Sequence, residues 1–289
     1  MSATTYGVVT PARNEAPNLP RLAACLAEQT LLPAVWVIVD DGSSDATATV
    51  AAGIEAELPW IDVVRLVSSG PTERGGPVVR AFEAGVERLD RLPDVVVKLD
   101  ADLTFDPTYF EQLLAAFAAD PRLGIASGIC LEERDGEWRP LHGTRSHVWG
   151  AARAYRRDCL AEVQPLVERQ GWDEIDALRA QVRGWRVGTI PELFFRHHRP
   201  EGERDGGLRR WADQGDTAHY MGYRFSYLLL RTLFNLRDDP AAIAMPWGFL
   251  RATLERRPTL DDPDVRALLR REQRVRALPL RLREALGRS

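Results

Sequence analysis

The strongest constraint on this chain is a rhythm in its first hundred residues. Short β-branched runs alternate with helical segments, and two of the runs end abruptly in acidic clusters. YGVVT at 6–10 stops at Pro11, and AVWVIVD at 34–40 runs into DGSSD. Residues 61–67 form a third run, and DVVVKLDAD at 94–102 a fourth. Between them, PNLPRLAACLAEQT places Leu19, Leu22, Cys25 and Leu26 near helical spacing. SSDATATVAAGIEAEL opens on a Ser/Asp helix-start signal, and residues 77–89 again read as helix. Near-continuous apolar strands joined by helices predict a parallel sheet covered on both faces. Such sheets bind ligands outside the carboxyl ends of their strands. Asp40 and Asp41 fall at one such end, Asp100 and Asp102 at another, so two charge clusters become one candidate site.

Beyond residue 105 the rhythm changes. Residues 107–119 read as helix and 124–132 as strand, after which the chain turns polar and His/Trp-containing through His142 and His147. A helix is expected over 175–183, then short strands at 185–190 and 193–196. RPEGERDGG at 199–207 reads as a loop or boundary, and the remainder has helical periodicity broken by Pro240, Pro246, Pro258, Pro263 and Pro279.

Composition narrows the class. With 45% hydrophobic and 28% charged residues, this is globular and not disordered. Cys25, Cys130 and Cys159 stand far apart, which argues against a zinc site or disulfide framework and fits a reducing, cytoplasmic setting. No signal-peptide pattern and no apolar stretch of about 18 residues is seen. The formal charge of −4 is uneven: residues 250–289 carry eleven Arg against six Asp plus Glu. A basic tail on an acidic body points to an anionic partner, such as lipid headgroups or a phosphorylated acceptor; a solvated helix face reads equally well. No nucleic-acid partner is expected.

Two carboxylates separated by one small residue, as in Asp100-Ala101-Asp102, can hold a divalent cation that also binds a diphosphate. In VDDGSSDAT at 39–47, a carboxylate past a strand end can accept from a base N–H or a ribose hydroxyl. Each motif alone also suits a plain strand–turn–helix junction.

Together, in order and spacing, TPARNEAPNLPRLAACLAEQ, VDDGSSDAT and DAD resemble the family 2 glycosyltransferases. The resemblance covers roughly residues 6–200. It implies a GT-A fold (an α/β, Rossmann-like, mostly parallel sheet flanked by helices), a nucleotide-sugar donor, Mn2+ or Mg2+, and inversion at the anomeric carbon. It divides the chain into a nucleotide-sugar-binding half (1–105), an acceptor and catalytic half (106–203) and a helical C-terminal extension (204–289). Carried onto this sequence, it places Pro11, Arg13 and Glu15 around the nucleoside, with Asp41 at the base and Asp40 beside it. Arg74 and Arg80 approach the donor phosphates or sugar, Asp102 is the principal metal ligand, and Asp100 with Ala101 lies near the ribose or the metal. By the same resemblance, counting back from Gly184 in GWDEIDALRAQVRGW at 171–185 gives Asp173 the place of the general base, with Glu174 and Asp176 as alternatives. Of His197 and His198, whose side chains must point to opposite faces of an extended segment, His198 is preferred as a metal ligand. Trp149 and Trp172 are candidates to stack on an acceptor sugar. A nucleotide-sugar-forming nucleotidyltransferase and a catalytically silent nucleotide-sugar-binding protein are the rival readings.

The C-terminal third lies mostly outside the motifs that carry the resemblance. YMGYRFSYLLLRTLFNL at 220–236, interrupted by Arg224 and Arg231, and the apolar stretch 241–254, with Pro246 and Trp247 near its middle, are poor spanning helices. They suit helices lying on the inner face of a membrane, near a lipid-linked acceptor, or helices packed on the catalytic domain or in a homodimer.

Overall fold

A computed structural model of the chain describes residues 4–67, 75–89, 92–141, 147–199, 207–237 and 239–274. It falls into two compact units, 1–199 and 200–289.

The first unit is α/β. Its strands β1 (Tyr6–Ala12), β2 (Val35–Asp41), β3 (Ile61–Leu66) and β4 (Val95–Leu99) pair in parallel in the order β3-β2-β1-β4. Helices α1 (Leu19–Ala27), α2 (Thr47–Glu57) and α3 (Gly76–Glu87) connect them. The apolar runs are continuous because successive residues face opposite sides of a covered sheet. Val8, Ile38, Val95 and Val97 join one core cluster with Leu19, Leu22 and Leu26 of α1. Val9, Val37, Val39 and Val96 join the other, with Val79, Phe82 and Val86 of α3. Pro11 pairs in register with Val39 on β2, beyond the last β1–β4 pair at Val9 and Lys98. Its missing N–H therefore breaks no bond to β4.

The sheet then becomes mixed. The remaining strands are β5 (Leu103–Phe105), β6 (Leu123–Arg134), β7 (Glu137–Pro140), β8 (Ala152–Arg156) and β9 (Arg186–His197), with helices α4 (Tyr109–Ala119), α5 (Arg157–Val163) and α6 (Trp172–Val182). β8 inserts antiparallel between β4 and β6, β9 runs parallel to β6, and β5 pairs antiparallel with β9. Two details correct the sequence reading. The two short strands expected at 185–190 and 193–196 are one strand, with Pro191 accommodated where the register to β6 shifts between Ser127 and Ile129. The helix expected from 175 begins at Trp172, one residue after Gly171.

The second unit is helical: α7 (Gly207–Tyr220), α8 (Phe225–Asn235), a short 3-10 turn (Pro240–Ile243), α9 (Ala244–Leu254) and α10 (Pro263–Glu272). α7 and α9 pack backbone to backbone. A Cβ on Gly215 would lie 2.0 Å from the Met245 carbonyl oxygen, and one on Gly248 would lie 1.9 Å from that of Ala212. Only glycine permits this approach. Among the described residues no helix is long and apolar enough to cross a membrane.

Candidate active site

The chain order β3-β2-β1-β4 reverses direction at β1, and crevices form at the carboxyl ends of strands where that happens. The loop after β1 holds Arg13, Asn14 and Glu15. Asn14 adopts φ 58°, a left-handed conformation that Asn tolerates. Its N–H donates to Ser43 Oγ at 3.0 Å, and its side-chain oxygen accepts from the Ser44 N–H at 2.8 Å. Glu15 N–H donates to Thr47 Oγ1 at 2.8 Å. The loops after β1 and β2 are thus stitched together.

The adjacent acids that end β2 do different work, as expected of neighbours on extended backbone. Asp40 is fully buried; it accepts from the Ser43 N–H at 2.9 Å and from Arg65 Nε at 3.3 Å. It holds the turn. Asp41 lies beside Arg13, whose Nη1 is 3.8 Å from Oδ2 and whose side chain is half exposed.

At the end of β4, Lys98 is buried and donates to Asp100 Oδ1 at 2.5 Å and to the Gly150 carbonyl at 2.8 Å. Asp100 stays partly exposed, whereas Ala101 packs into the core, so its side chain faces away from any donor. Asp102 is 5% exposed. Its Oδ1 is 3.4 Å from His197 Nε2, and its Oδ2 accepts from Arg199 Nε at 2.8 Å. Burial works to raise the Asp102 carboxyl, but His197 and Arg199 outweigh it and hold it down at about 2. Arg199 also grips Glu15, with Nη2 at 2.6 Å and 2.8 Å from its two oxygens. One guanidinium therefore joins the ends of β1 and β4.

The preference for His198 is corrected by this geometry. Phe195 is fully buried, and the period of two carries His197 to the same side, toward Asp102. His198 turns the other way, bonds Thr104 Oγ1 at 2.9 Å and meets the Trp138 ring edge-on at 5.2 Å. Asp102 and His197 fit a hard cation that takes further ligands from diphosphate and water. No third His, Cys, Asp or Glu completes a metal cluster with them among the described residues.

The first turn of α6 brings in the third component. A Cβ on Gly150 would lie 3.1 Å from Asp173 Oδ2, and the same Gly150 carbonyl binds Lys98, the partner of Asp100. Asp173 and Asp100 therefore flank one glycine. Glu174, the next residue, is exposed. Beneath them, Arg153 of β8 is fully buried, donating to the Val148 and Asp173 carbonyls, each at 2.7 Å, and to both oxygens of Asp176. Tyr155 O–H donates to Asp176 at 2.5 Å. Burial pushes the Asp176 carboxyl up, to about 6, even with Arg153 opposing it. Arg153 and Tyr155 thus occupy both oxygens of Asp176, which ties it to the structure. Trp172 is also corrected: it is 8% exposed, with Lys98 Nζ 5.6 Å and the Arg153 guanidinium 5.9 Å from its ring, and has no open face for a sugar. Trp149 is partly buried and meets His147 edge-on at 4.5 Å. Arg80 is tied to Glu168 at 2.8 Å, and Arg74 and His142 lie outside the described residues. The sequence reading missed Lys98, Arg153 and Arg199. No local pattern singled them out, since each is placed by partners distant in the chain.

Comparison with known proteins follows the same lines. The model of glycosyl transferase family 2 matches residues 7–230. An undecaprenyl-phosphate mannosyltransferase of Micrococcus luteus is 27% identical over 222 residues, covering 69% of this chain and 87% of its own. Among solved structures, the mannosyltransferase PcManGT from Pyrobaculum calidifontis, in complex with GDP-Man and Mn2+, superposes with a TM-score of 0.58 at 16% identity. That match covers 100% of this chain and 88% of PcManGT. A Staphylococcus aureus TarS fragment in complex with UDP-GlcNAc gives 0.56 at 15% identity, over 73% of this chain and 65% of the fragment. Three acid-bearing loops at the mouth of a parallel sheet, and a family match across most of its length, place this chain in glycosyl transferase family 2, as a glycosyltransferase of GT-A fold.

Proposed function

We propose that the chain is an inverting, metal-dependent glycosyltransferase that moves a sugar from a nucleotide-diphosphate sugar to an acceptor oxygen by direct displacement. The observation that carries this reading is the convergence of three groups at one sheet mouth. These are the stitched β1 and β2 loops, the ionised Asp102 beside His197, and Asp173 across Gly150 from Asp100. Asp41, Arg13 and Glu15 line the nucleoside side, with Pro11 beneath. Asp102 and His197 would hold Mn2+ or Mg2+, which neutralises charge on the departing diphosphate. The Mn2+ of PcManGT supports a metal here, and its GDP-Man supports a nucleotide sugar.

In the displacement, the acceptor oxygen bonds to the anomeric carbon as the carbon–oxygen bond to the diphosphate breaks. The acceptor hydroxyl proton passes to Asp173, whose backbone carbonyl Arg153 anchors. The Micrococcus luteus relative favours a lipid-linked acceptor. A phosphate acceptor brings an oxygen that is already ionised, so the base then matters less. The two acceptor classes therefore separate on the effect of Asp173→Asn.

The test is thermal stabilisation by UDP, GDP and dTDP, each with and without Mn2+, followed by donor turnover with the nucleotide that binds. Metal-dependent binding followed by sugar release supports the reading. Metal-independent binding without turnover favours the silent binding protein, and formation of nucleotide sugar from sugar phosphate favours the nucleotidyltransferase.

A further inference from the structure

The helical unit has a core of its own, with Trp211, Met221, Leu228, Met245 and Leu269 buried. Its helix contacts also include Gly215 against Gly248-bearing α9, and Thr232 of α8 with its Oγ1 3.8 Å from Met245 Sδ. Two of its helices nevertheless turn further large apolar side chains to solvent. On α8, Leu229, Leu230 and Leu233 are 41%, 47% and 63% exposed; on α9, Trp247, Leu250 and Leu254 are 62%, 42% and 78% exposed. In both helices these residues recur at helical intervals, so each helix shows water one continuous apolar stripe. A helix folded for water alone would turn that stripe inward.

Charge identifies what covers it. α8 and α9 are eleven residues each and contain no Asp or Glu, in a chain with 42 of them. Their charged residues are Arg231 and Arg251, and Arg237 lies just past α8 with its guanidinium 4.1 Å from the Phe234 ring. Two acids at the margins, among the described residues, are held by arginines. Glu255 meets Arg251 at 2.8 Å and Arg257 at 2.7 Å, and Asp239 meets Arg210 at 2.7 Å. Two arginines share Glu255, so that margin keeps an excess of positive charge, and a second copy docked there by a two-fold axis would meet it with its own. Anionic headgroups above an acyl layer match both the stripe and its cations, and an indole at position 247 suits the headgroup boundary. Among the described residues no helix can span a bilayer, so the fit is to its surface.

We infer that α8 and α9 dock the enzyme on the surface of an anionic lipid bilayer. The inference complements the lipid-linked acceptor reading without depending on it, because vesicle binding needs neither donor nor acceptor. The full chain is sedimented with phosphatidylglycerol–phosphatidylcholine vesicles and with phosphatidylcholine alone, at low and high salt. Binding is expected to require phosphatidylglycerol and to weaken with salt. The triple variant Leu233→Gln/Trp247→Gln/Leu254→Gln, checked for folding by circular dichroism, should lose at least about tenfold in partition. Independently, brominated lipid should quench fluorescence of the native chain more than that of Trp247→Phe, a mild change that keeps the test alive should the triple variant misfold. Three results overturn the inference: no sedimentation with anionic vesicles at low salt, equal sedimentation of the folded triple variant, or a vesicle-free dimer that the triple variant dissolves. None of these touches metal-dependent donor turnover, which is measured without lipid.

Discussion

Two buried carboxylates in this enzyme each hold an arginine, and they behave in opposite ways. Asp102 is held at about 2, while Asp176 is lifted to about 6. The Arg199 side chain that meets Asp102 is 29% exposed and stands at the last residue of its unit; the Arg153 side chain that meets Asp176 is fully buried in the sheet. The first pair sits where solvent still reaches one partner, so its ionised oxygens can exchange a guanidinium for another cation. The second is sealed, with Tyr155 and two backbone carbonyls consuming the remaining hydrogen-bonding capacity. On the function proposed above, an arginine–carboxylate pair is a ligand site in one place and a brace in the other. What separates them is access to water.

The comparison can be broken most severely at the brace. Arg153→Met should cost about 3–5 kcal/mol of stability, because it strands the buried Asp176 charge. The double variant Arg153→Met/Asp176→Leu should recover much of that loss; denaturant midpoints at constant slope measure both. If the single variant unfolds at the native midpoint, the brace assignment is wrong. At the open pair, Asp102→Asn should lower transfer roughly 10³-fold by removing the charge that holds the metal. Its midpoint should move far less than that of Arg153→Met, and initial rates with added Mn2+ together with melting curves show whether the two effects separate.

A smaller change sharpens the link between the two regions. Asp173→Asn should lower kcat about 10²-fold with a hydroxyl acceptor, leaving donor KM within about twofold, since a base acts only in the transition state. A crippled Glu174→Gln beside a healthy Asp173→Asn would move the base by one residue. The mildest expected effect is at Arg199. Arg199→Met should cost less stability than Arg153→Met, because His197 still partners Asp102 and the Arg199 side chain is partly exposed. It should also tighten Mn2+ binding to the nucleotide-free enzyme, because the guanidinium and the metal compete for Asp102. Titration calorimetry reads the sign, and weaker binding would make Arg199 a support for the site.

The two regions also differ in how much the sequence disclosed. Asp40, Asp41 and Asp102 were legible because each lies at or just past the end of a strand whose burial on both faces produces an unbroken apolar run. The end of such a run is visible in the letters. Asp173 was reached only through the resemblance, since an acid in the first turn of a helix fits the helix dipole equally well. The choice between His197 and His198 turned on whether Phe194 or Phe195 packs inward. Both are large and apolar, so local pattern had no preference.

By itself, the sequence determined the alternation of strand and helix, the parallel sheet that follows from it, and the acids at the strand ends. Each of these depends on neighbours close along the chain. Tertiary structure alone decided which side chains meet: Arg199 across 184 positions on Glu15, Arg153 beneath Asp173, and Trp172 shut into the core rather than offered to a sugar. It also decided that Leu229, Leu230 and Leu233 of α8 and Leu250 and Leu254 of α9 turn outward while Leu228 is buried, because a helical stripe specifies a face but not what lies against it. Periodicity is a property of the chain. Burial is a property of the partners the fold supplies.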